Sequence, residues 1–267
     1  MNIAQKITRP SMEGFERVEY DVAGTKTVVY SIGSGDPVVF LHGGATFPGF
    51  EFARVWARDR KVIIPHHPGF GESGDDDRIN SVHDYVLHYL DLFDQLKLDR
   101  FDLAGHSFGA WIAAEFAVEH SHRLRRLVLA GPTGLVINEH PTPDFFKIRA
   151  ADLPEYLTAD PEVARGLFPD GHDVDFLVLG YRETTSLSKV CWDKPQGNPT
   201  LGRWLHRIEL PTLLVWGERD RLCPIEGASA WTRGLPDARL EVVPGTGHLV
   251  FEESPAAIDT AHRFLAA

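Results

Sequence analysis

At 267 residues the chain is long enough for one large α/β domain with an insertion, or for two small domains. Hydrophobic residues at 43% and charged residues at 24% supply a sizeable core inside a solvated surface. A net charge of -11 and a pI near 5.6 argue against nucleic acid or an anionic membrane as the main partner, because counterion release needs a basic face; the charge reads as solubility. Cys191 and Cys223 form neither a disulfide framework nor a metal-binding spacing and are expected to be reduced thiols. Met1–Tyr20 lacks the apolar run of about 7–15 residues that a signal peptide needs, and no stretch approaches the ~18 apolar residues of a membrane span. A cytoplasmic location without a membrane partner is the expectation.

In chain order, Phe15–Val22 and Thr25–Ile32 read as the two strands of a hairpin turned at Ala23-Gly24. After a Gly/Ser turn, Pro37–Leu41 is a continuous apolar run, as expected of a strand buried on both faces. It runs into His42-Gly43-Gly44-Ala45, where glycines past the strand's carboxyl end let backbone amides face a ligand. The N–H of Gly44 (or of Ala45) could supply half of an oxyanion hole; a plain tight turn is the alternative. Phe50–Asp59 suggests a short helix and Lys61–Ile64 another buried strand. The loop beyond carries His66-His67, but no third ligand sits at a metal-binding spacing, so the pair is expected to pack within the loop. Ser81–Leu98 forms an amphipathic helix. Ser81 can cap it, Val82, Tyr85, Val86, Tyr89, Leu92, Phe93 and Leu96 recur at three and four, and His83 and His88 fall on its polar side.

Phe101–Trp111 passes from an apolar strand through Gly105-His106-Ser107-Phe108-Gly109 into a helix reaching about Val118. A serine at such a turn is held in a strained backbone conformation with its hydroxyl clear of the sheet, and Gly105, Gly109 and Ala110 leave room for the crossing chains. The bare Gly-x-Ser-x-Gly pattern arises by chance in roughly one chain of this size in ten, so the flanking strand and helix carry the inference. Leu124–Ala130 gives a further strand. From about Gly134 to Arg207 the periodicity is irregular, prolines stand at 141, 143, 154, 161, 169, 195 and 199, and no strand alternation is visible; a mostly helical insertion is expected. Alternation resumes with Thr212–Trp216, Glu226–Gly234, Arg239–Val243 and a closing helix Ser254–Ala266 capped by Ser254 with Pro255 in its first turn. Strands alternating with helices on both sides of an insertion predict a mostly parallel sheet with a lid.

A serine hydroxyl is a poor nucleophile until a neighbouring base takes its proton, and that base must be oriented by a carboxylate. Two loops at the carboxyl ends of later strands qualify: Gly217-Glu218-Arg219-Asp220 and Pro244-Gly245-Thr246-Gly247-His248. The order Ser107, Asp220, His248 suits a nucleophile elbow in this sheet type. Glu218 is a rival acid closer to its strand. The loop after Leu124–Ala130 carries no carboxylate, and Asp102 lies inside a strand. Among thirteen histidines, His106 adjoins the serine too closely, His42 precedes a glycine turn, and His120 and His122 follow a helix at the opposite end, which leaves His248 as the base.

The chain resembles an α/β-hydrolase-fold enzyme over nearly its whole length. The resemblance rests on Leu41-His42-Gly43-Gly44, Pro68-Gly69-Phe70-Gly71-Glu72-Ser73, Gly105-His106-Ser107-Phe108-Gly109, Trp216-Gly217-Glu218-Arg219-Asp220, and Gly247-His248 with Glu253-Ser254-Pro255. Relatives usually carry Asp where His66 stands, so packing of that loop is expected to differ. The resemblance implies an open, mostly parallel sheet of about eight strands flanked by helices. It implies a core of residues 1–133 and 208–267 and a mostly helical cap of residues 134–207. Phe145, Phe146, Tyr156, Phe168, Trp192 and Trp204, with Phe108, are candidates to line an apolar pocket, or else to fill the cap's own core. Ser107, His248 and Asp220 would then transfer an acyl group to water without any cofactor or metal. Backbone N–H groups of Phe108 and Gly44 would hold the oxyanion.

A small apolar ester or lactone is the expected substrate of a monomer or homodimer. Serine excludes the dehalogenase and epoxide-hydrolase chemistry of this fold, which needs an Asp nucleophile. A C–C bond hydrolase acting on ring-cleavage products is the alternative, although such relatives often place Trp after the base and Leu249 stands here. A slow-turnover ligand receptor and a cofactor-free dioxygenase are alternatives of another class. Basic residues of the insertion (Lys147, Arg149, Arg165, Arg182, Lys189, Arg203) are candidates to bind a substrate carboxylate or simply to face solvent.

Overall fold

A computed structural model describes residues 12–168, 173–192 and 197–267; part of the N-terminal reading and Pro169 and Pro195 lie outside the described residues. The strands are β1 (Glu16–Val22), β2 (Thr25–Ile32), β3 (Asp36–Leu41), β4 (Arg60–Pro65), β5 (Phe101–His106), β6 (Leu124–Ala130), β7 (Gly134–Leu135), β8 (Gly197–Asn198), β9 (Thr212–Gly217) and β10 (Ala238–Val243). The helices are α1 (Ala53–Trp56), α2 (Val82–Gln95), α3 (Phe108–His120), α4 (Leu153–Leu157), α5 (Pro161–Leu167), α6 (Val174–Cys191), α7 (Ala228–Gly234), α8 (Val250–Glu253) and α9 (Pro255–Ala266). Eight strands form one sheet in the order β1-β2-β4-β3-β5-β6-β9-β10. Only β1–β2 and β2–β4 pair antiparallel; every other neighbouring pair in that sheet is parallel.

The central strands are apolar on both sides because they are covered on both sides. Val39, Leu41, Leu103, Leu127, Leu129, Leu214 and Trp216 belong to the core shared with α2 and α3. Their neighbours Val38, Phe40, Ala104, Val128, Ala130, Leu213 and Val215 belong to the opposite core, with Trp56 of α1 and Ala257, Ala261 and Leu265 of α9. From β3 the chain moves outward to β4 on one side, then returns across the sheet to β5 on the other. The order reverses between β3 and β5, and a crevice opens beyond their carboxyl ends. Gly43-Gly44 follow β3 there, and Ser107 follows β5.

Ser81 caps α2 reciprocally with Asp84, and the Ser254 hydroxyl accepts the Ala257 N–H at the start of α9. Three expectations need correction. The helix sought over Phe50–Asp59 shrinks to α1, because Phe50 and Phe52 are spent on an aromatic cluster with Phe40 and Trp56. His88 is not on a polar face: it is buried, with Nε2 3.0 Å from the Thr27 hydroxyl. The insertion is not free of strands, since β7 and β8 pair in parallel where it leaves and rejoins the sheet; two-residue strands are too short to leave a period. Among the described residues no helix is long and apolar enough to cross a membrane.

At the β5–α3 turn the backbones nearly touch. A Cβ on Gly105 would lie 2.5 Å from the Gly109 carbonyl oxygen, and one on Gly109 would overlap the carbonyl oxygens of Leu41 and His42. The neighbours are backbone and cannot step aside. Gly109→Ala is expected to cost about 3 kcal/mol or more, read as a lowered urea midpoint; a loss within error of zero would show that the turn is looser than described.

Candidate active site

Ser107 occupies the single residue between β5 and α3 with φ 53° and ψ -116°. Its N–H donates to Ala130 O (2.9 Å) and its carbonyl accepts the Trp111 N–H (3.1 Å), so both neighbouring elements fix the strained backbone. The hydroxyl makes no capping bond to α3. Phe108, first residue of that helix, has an N–H with no intrahelical acceptor, at the positive end of the helix dipole.

Asp220 and His248, 28 residues apart, meet at the ends of β9 and β10. His248 Nδ1 lies 2.8 Å from Asp220 Oδ2, and both residues are buried. The other carboxylate oxygen accepts the N–H groups of Leu222 (2.9 Å) and Cys223 (2.7 Å). The acid is therefore clamped by two amides and aims one oxygen at the imidazole. A carboxylate accepts and does not donate, so Nδ1 carries the proton and Nε2 is left with a free lone pair. Glu218 is directed elsewhere and accepts the Gly245 N–H. Beside Asp220, burial raises the Cys223 thiol well above its ordinary range. Asp220, Cys223 and His248 are the one group of three potential metal ligands among the described residues. With the thiol held protonated and Nδ1 bonded to Asp220, the group does not fit a cation.

Histidines that sequence reasoning set aside build the surroundings. His106 Nε2 donates to the carbonyl oxygen of His248 (2.8 Å), tying the residue before the serine to the residue proposed as base. His67 Nε2 donates to His42 O (2.7 Å), so its Nδ1 accepts from the Tyr89 hydroxyl. In return, His42 Nε2 accepts the His67 N–H (3.1 Å) while His42 Nδ1 donates to Gly43 O (2.7 Å). This buried chain fixes the backbone that leads to Gly44. His66 also fits its loop, for its Nδ1 accepts the Glu72 N–H (3.0 Å). From α6, the buried Glu183 accepts the Thr46 N–H (3.2 Å), the Thr46 hydroxyl (2.5 Å) and the Gly71 N–H (2.9 Å). Neither His106 nor Glu183 carried a legible signal, because each acts on a backbone group distant in sequence.

Ser107, His248, Phe108 and Gly44 all line one cavity of about 120 Å³. Trp111, Phe145, Phe146, Leu153, Leu157, Leu187 and Leu222 supply much of its apolar wall, and Phe47 and Leu249 complete it near the loops. The other expected aromatics lie outside it. Phe168 stacks behind Phe47 at 4.8 Å, and Trp192, 60% exposed, packs against the outside of Phe146. Trp204 is on the surface with Arg203 over its ring, and Arg221 covers Tyr156. Phe168 and Trp192 sit at the C-terminal caps of α5 and α6, where Phe168 also meets Phe176 edge-on. The basic residues also turn outward: Lys147 pairs with Asp144, Arg149 with Asp152, Arg165 with Glu162, Arg182 with Asp75 and Lys189 with Asp77.

Comparison with known proteins gives the family and the fold. The sequence model of the alpha/beta hydrolase family matches residues 38–261, and the chain belongs to that family. It is 28% identical to a 2-hydroxy-6-oxo-2,4-heptadienoate hydrolase of Pseudomonas putida, across 91% of this chain and 94% of that one. Among solved structures, a meta-cleavage product hydrolase from Pseudomonas fluorescens superposes with a TM-score of 0.78 at 19% identity, covering 93% of this chain and 97% of the other. A thermophilic esterase from Thermogutta terrifontis gives 0.76 at 21%, covering 94% and 98%. At such identities the superpositions speak to the fold alone.

Burial pushes His66 and His88 down to about 4 and His67 and His106 to about 3. The unfolded chain takes up these protons near pH 6.5. Between about pH 6.5 and 4 it therefore binds more protons than the folded chain, and stability falls as pH falls, by up to ~1.4 kcal/mol per unit and group. Glu115 and Glu183, raised by burial, offset part of this. Urea unfolding is expected to show at least about 3 kcal/mol less stability at pH 5 than at pH 7; a flat profile would mean that the imidazoles are not held neutral.

Proposed function

We propose that the chain is a serine hydrolase acting on small, uncharged carboxylic esters or lactones. Ser107 attacks the carbonyl carbon while His248 Nε2 takes its proton. The N–H groups of Phe108 and Gly44 hold the oxyanion, and His248 returns the proton to the leaving alcohol. Water then repeats the sequence on the acyl-enzyme, with Asp220 fixing the tautomer throughout. Residues 134–207 act as a cap. Phe145, Phe146, Leu153, Leu157 and Leu187 of this segment close the cavity over Ser107.

The observation that carries the ester reading is the chemistry of that wall. Among the described residues, no Lys, Arg, Asp or Glu lines the cavity. A carboxylate entering it would lose hydration with no cation in exchange, a penalty of several kcal/mol. The cavity also suits short acyl groups, being of the order of the ~150 Å³ void that takes up benzene. A second reading, hydrolysis of a C–C bond in a ring-cleavage product, is favoured by the names of the relatives, whose dienoate substrates carry the carboxylate that this wall does not accommodate.

Steady turnover of p-nitrophenyl acetate and butyrate is expected, falling for octanoate and longer chains. Ser107→Ala or His248→Ala should lower kcat by about 10⁴–10⁶ and Asp220→Asn by about 10⁴. A 2-hydroxy-6-oxo-dienoate, followed by loss of its visible absorbance, is expected to turn over far more slowly than the short esters. The reverse order would replace the ester reading with the C–C one. Labelling of Ser107 by a fluorophosphonate without steady turnover would indicate a ligand receptor, and oxygen uptake with a heterocyclic substrate a dioxygenase.

A further inference from the structure

Gly43 and Gly44 carry no side chains, so the loop itself does little to decide where the N–H proposed to bind the oxyanion points. The peptide between them is a single trans plane. His42 Nδ1 donates to its carbonyl oxygen (2.7 Å), which turns the Gly44 N–H to the opposite side. That bond sets orientation from the β3 side. Position must also be set from the far side, where the chain runs on through Ala45 to Thr46.

There α6 takes hold. One carboxylate oxygen of Glu183 accepts the Thr46 N–H (3.2 Å), and the other accepts the Thr46 hydroxyl (2.5 Å) and the Gly71 N–H (2.9 Å). The residue is 2% exposed, and among the described residues no Lys or Arg hydrogen-bonds to it. The neighbouring Arg182 is spent on Asp75 and on the Gly71 and Ser73 carbonyls. Burying a carboxylate without a bonded cation sacrifices solvation, and docking the helix does not require it. Leu187 and Val190 seat α6 by apolar burial, and the Ser186 hydroxyl donates to Gly69 O (3.1 Å). An apolar residue in place of Glu183 could not grip the N–H and the hydroxyl of Thr46 together. Through Gly71 the same carboxylate also reaches the loop of Phe70, whose ring stacks on Phe108, the other proposed donor.

We propose that Glu183 is a positioning residue of the oxyanion hole: through Thr46 it sets where the Gly44 N–H stands as charge develops on the substrate. This rests on the hydrolase reading above, which assigns Gly44 as a donor. The effect falls on the transition state more than on bound substrate, because a neutral carbonyl asks less of the donor than an oxyanion does. A displacement of about 1 Å is enough to cost on the order of 10²-fold in rate.

Glu183→Gln keeps the size of the side chain but turns an amide donor toward one of these donors. With p-nitrophenyl butyrate it is expected to lower kcat about 10- to 100-fold and to change KM by less than about threefold. Thr46→Val removes one bond only and should lower kcat less, which keeps the test open if Glu183→Gln does not fold. The double variant should lose less than the product of the two single losses, since both cut one link. Lys189→Gln, which unties α6 from Asp77 at the surface, should leave both constants within about twofold. Phosphonylation of Ser107 by a fluorophosphonate also draws charge onto an oxygen in the hole and needs no ester substrate, so its rate should fall in parallel with kcat. A slowed phosphonylation in the variants of a chain that turns over no ester would sink the ester reading and support the positioning role. Wild-type kcat and phosphonylation in both Glu183→Gln and Thr46→Val would overturn the proposal and leave the ester reading intact. A rise in KM alone would overturn it too, reducing Glu183 to an anchor of the helix.

Discussion

The site depends on a crossing of backbones. Where β5 turns into α3, the carbonyl groups of Leu41 and His42 lie so near Gly109 that no side chain fits between them. That proximity sets the distance from the end of β3, with its glycine pair, to the start of α3, with its free first N–H. It also forces Ser107 into the positive-φ region, which lifts its side chain out of the sheet. A looser crossing would let the serine relax into a helical cap, with its hydroxyl spent on its own backbone. The strain is maintained by ordinary close packing on both sides and needs no special cofactor or cross-link.

Around that fixed point, polar groups are arranged so that backbone is held by side chains remote in sequence. Asp220 is clamped by amides of its own loop and orients His248. His106, the residue before Ser107, steadies the His248 carbonyl. His67 and His42 brace the approach to Gly44 through a chain of neutral imidazoles. Burial is what keeps these rings uncharged, and an uncharged ring can both donate and accept, which a doubly protonated one cannot. The same burial that costs solvation thus makes histidine usable as a two-ended connector.

How much was readable beforehand follows from the range of each interaction. The central strands announced themselves because burial on both faces leaves an apolar run, and Phe101–Trp111 because a strained turn admits few residue types. That Asp220 and His248 would meet was legible because loops at one sheet edge must converge. His88 was misplaced because helical periodicity ranks histidine as polar, whereas here it meets Thr27 from the β1–β2 hairpin. Tertiary pairing had overridden the pattern. The insertion was least legible: its aromatics carry no period, and only the packing shows Phe145 and Phe146 facing inward while Trp192 and Trp204 face out.

Glu183 gives the insertion a second consequence. Its carboxylate is bonded to Thr46, two residues beyond Gly44, and Leu187 one turn later rests close enough to Gly44 that a methyl there would press on it at 3.1 Å. The roof of the cavity and the proposed anion-binding amide are thus parts of one rigid assembly. A displacement of α6 could not leave the Gly44 loop where it is, because the Glu183 carboxylate bonds both the N–H and the hydroxyl of Thr46.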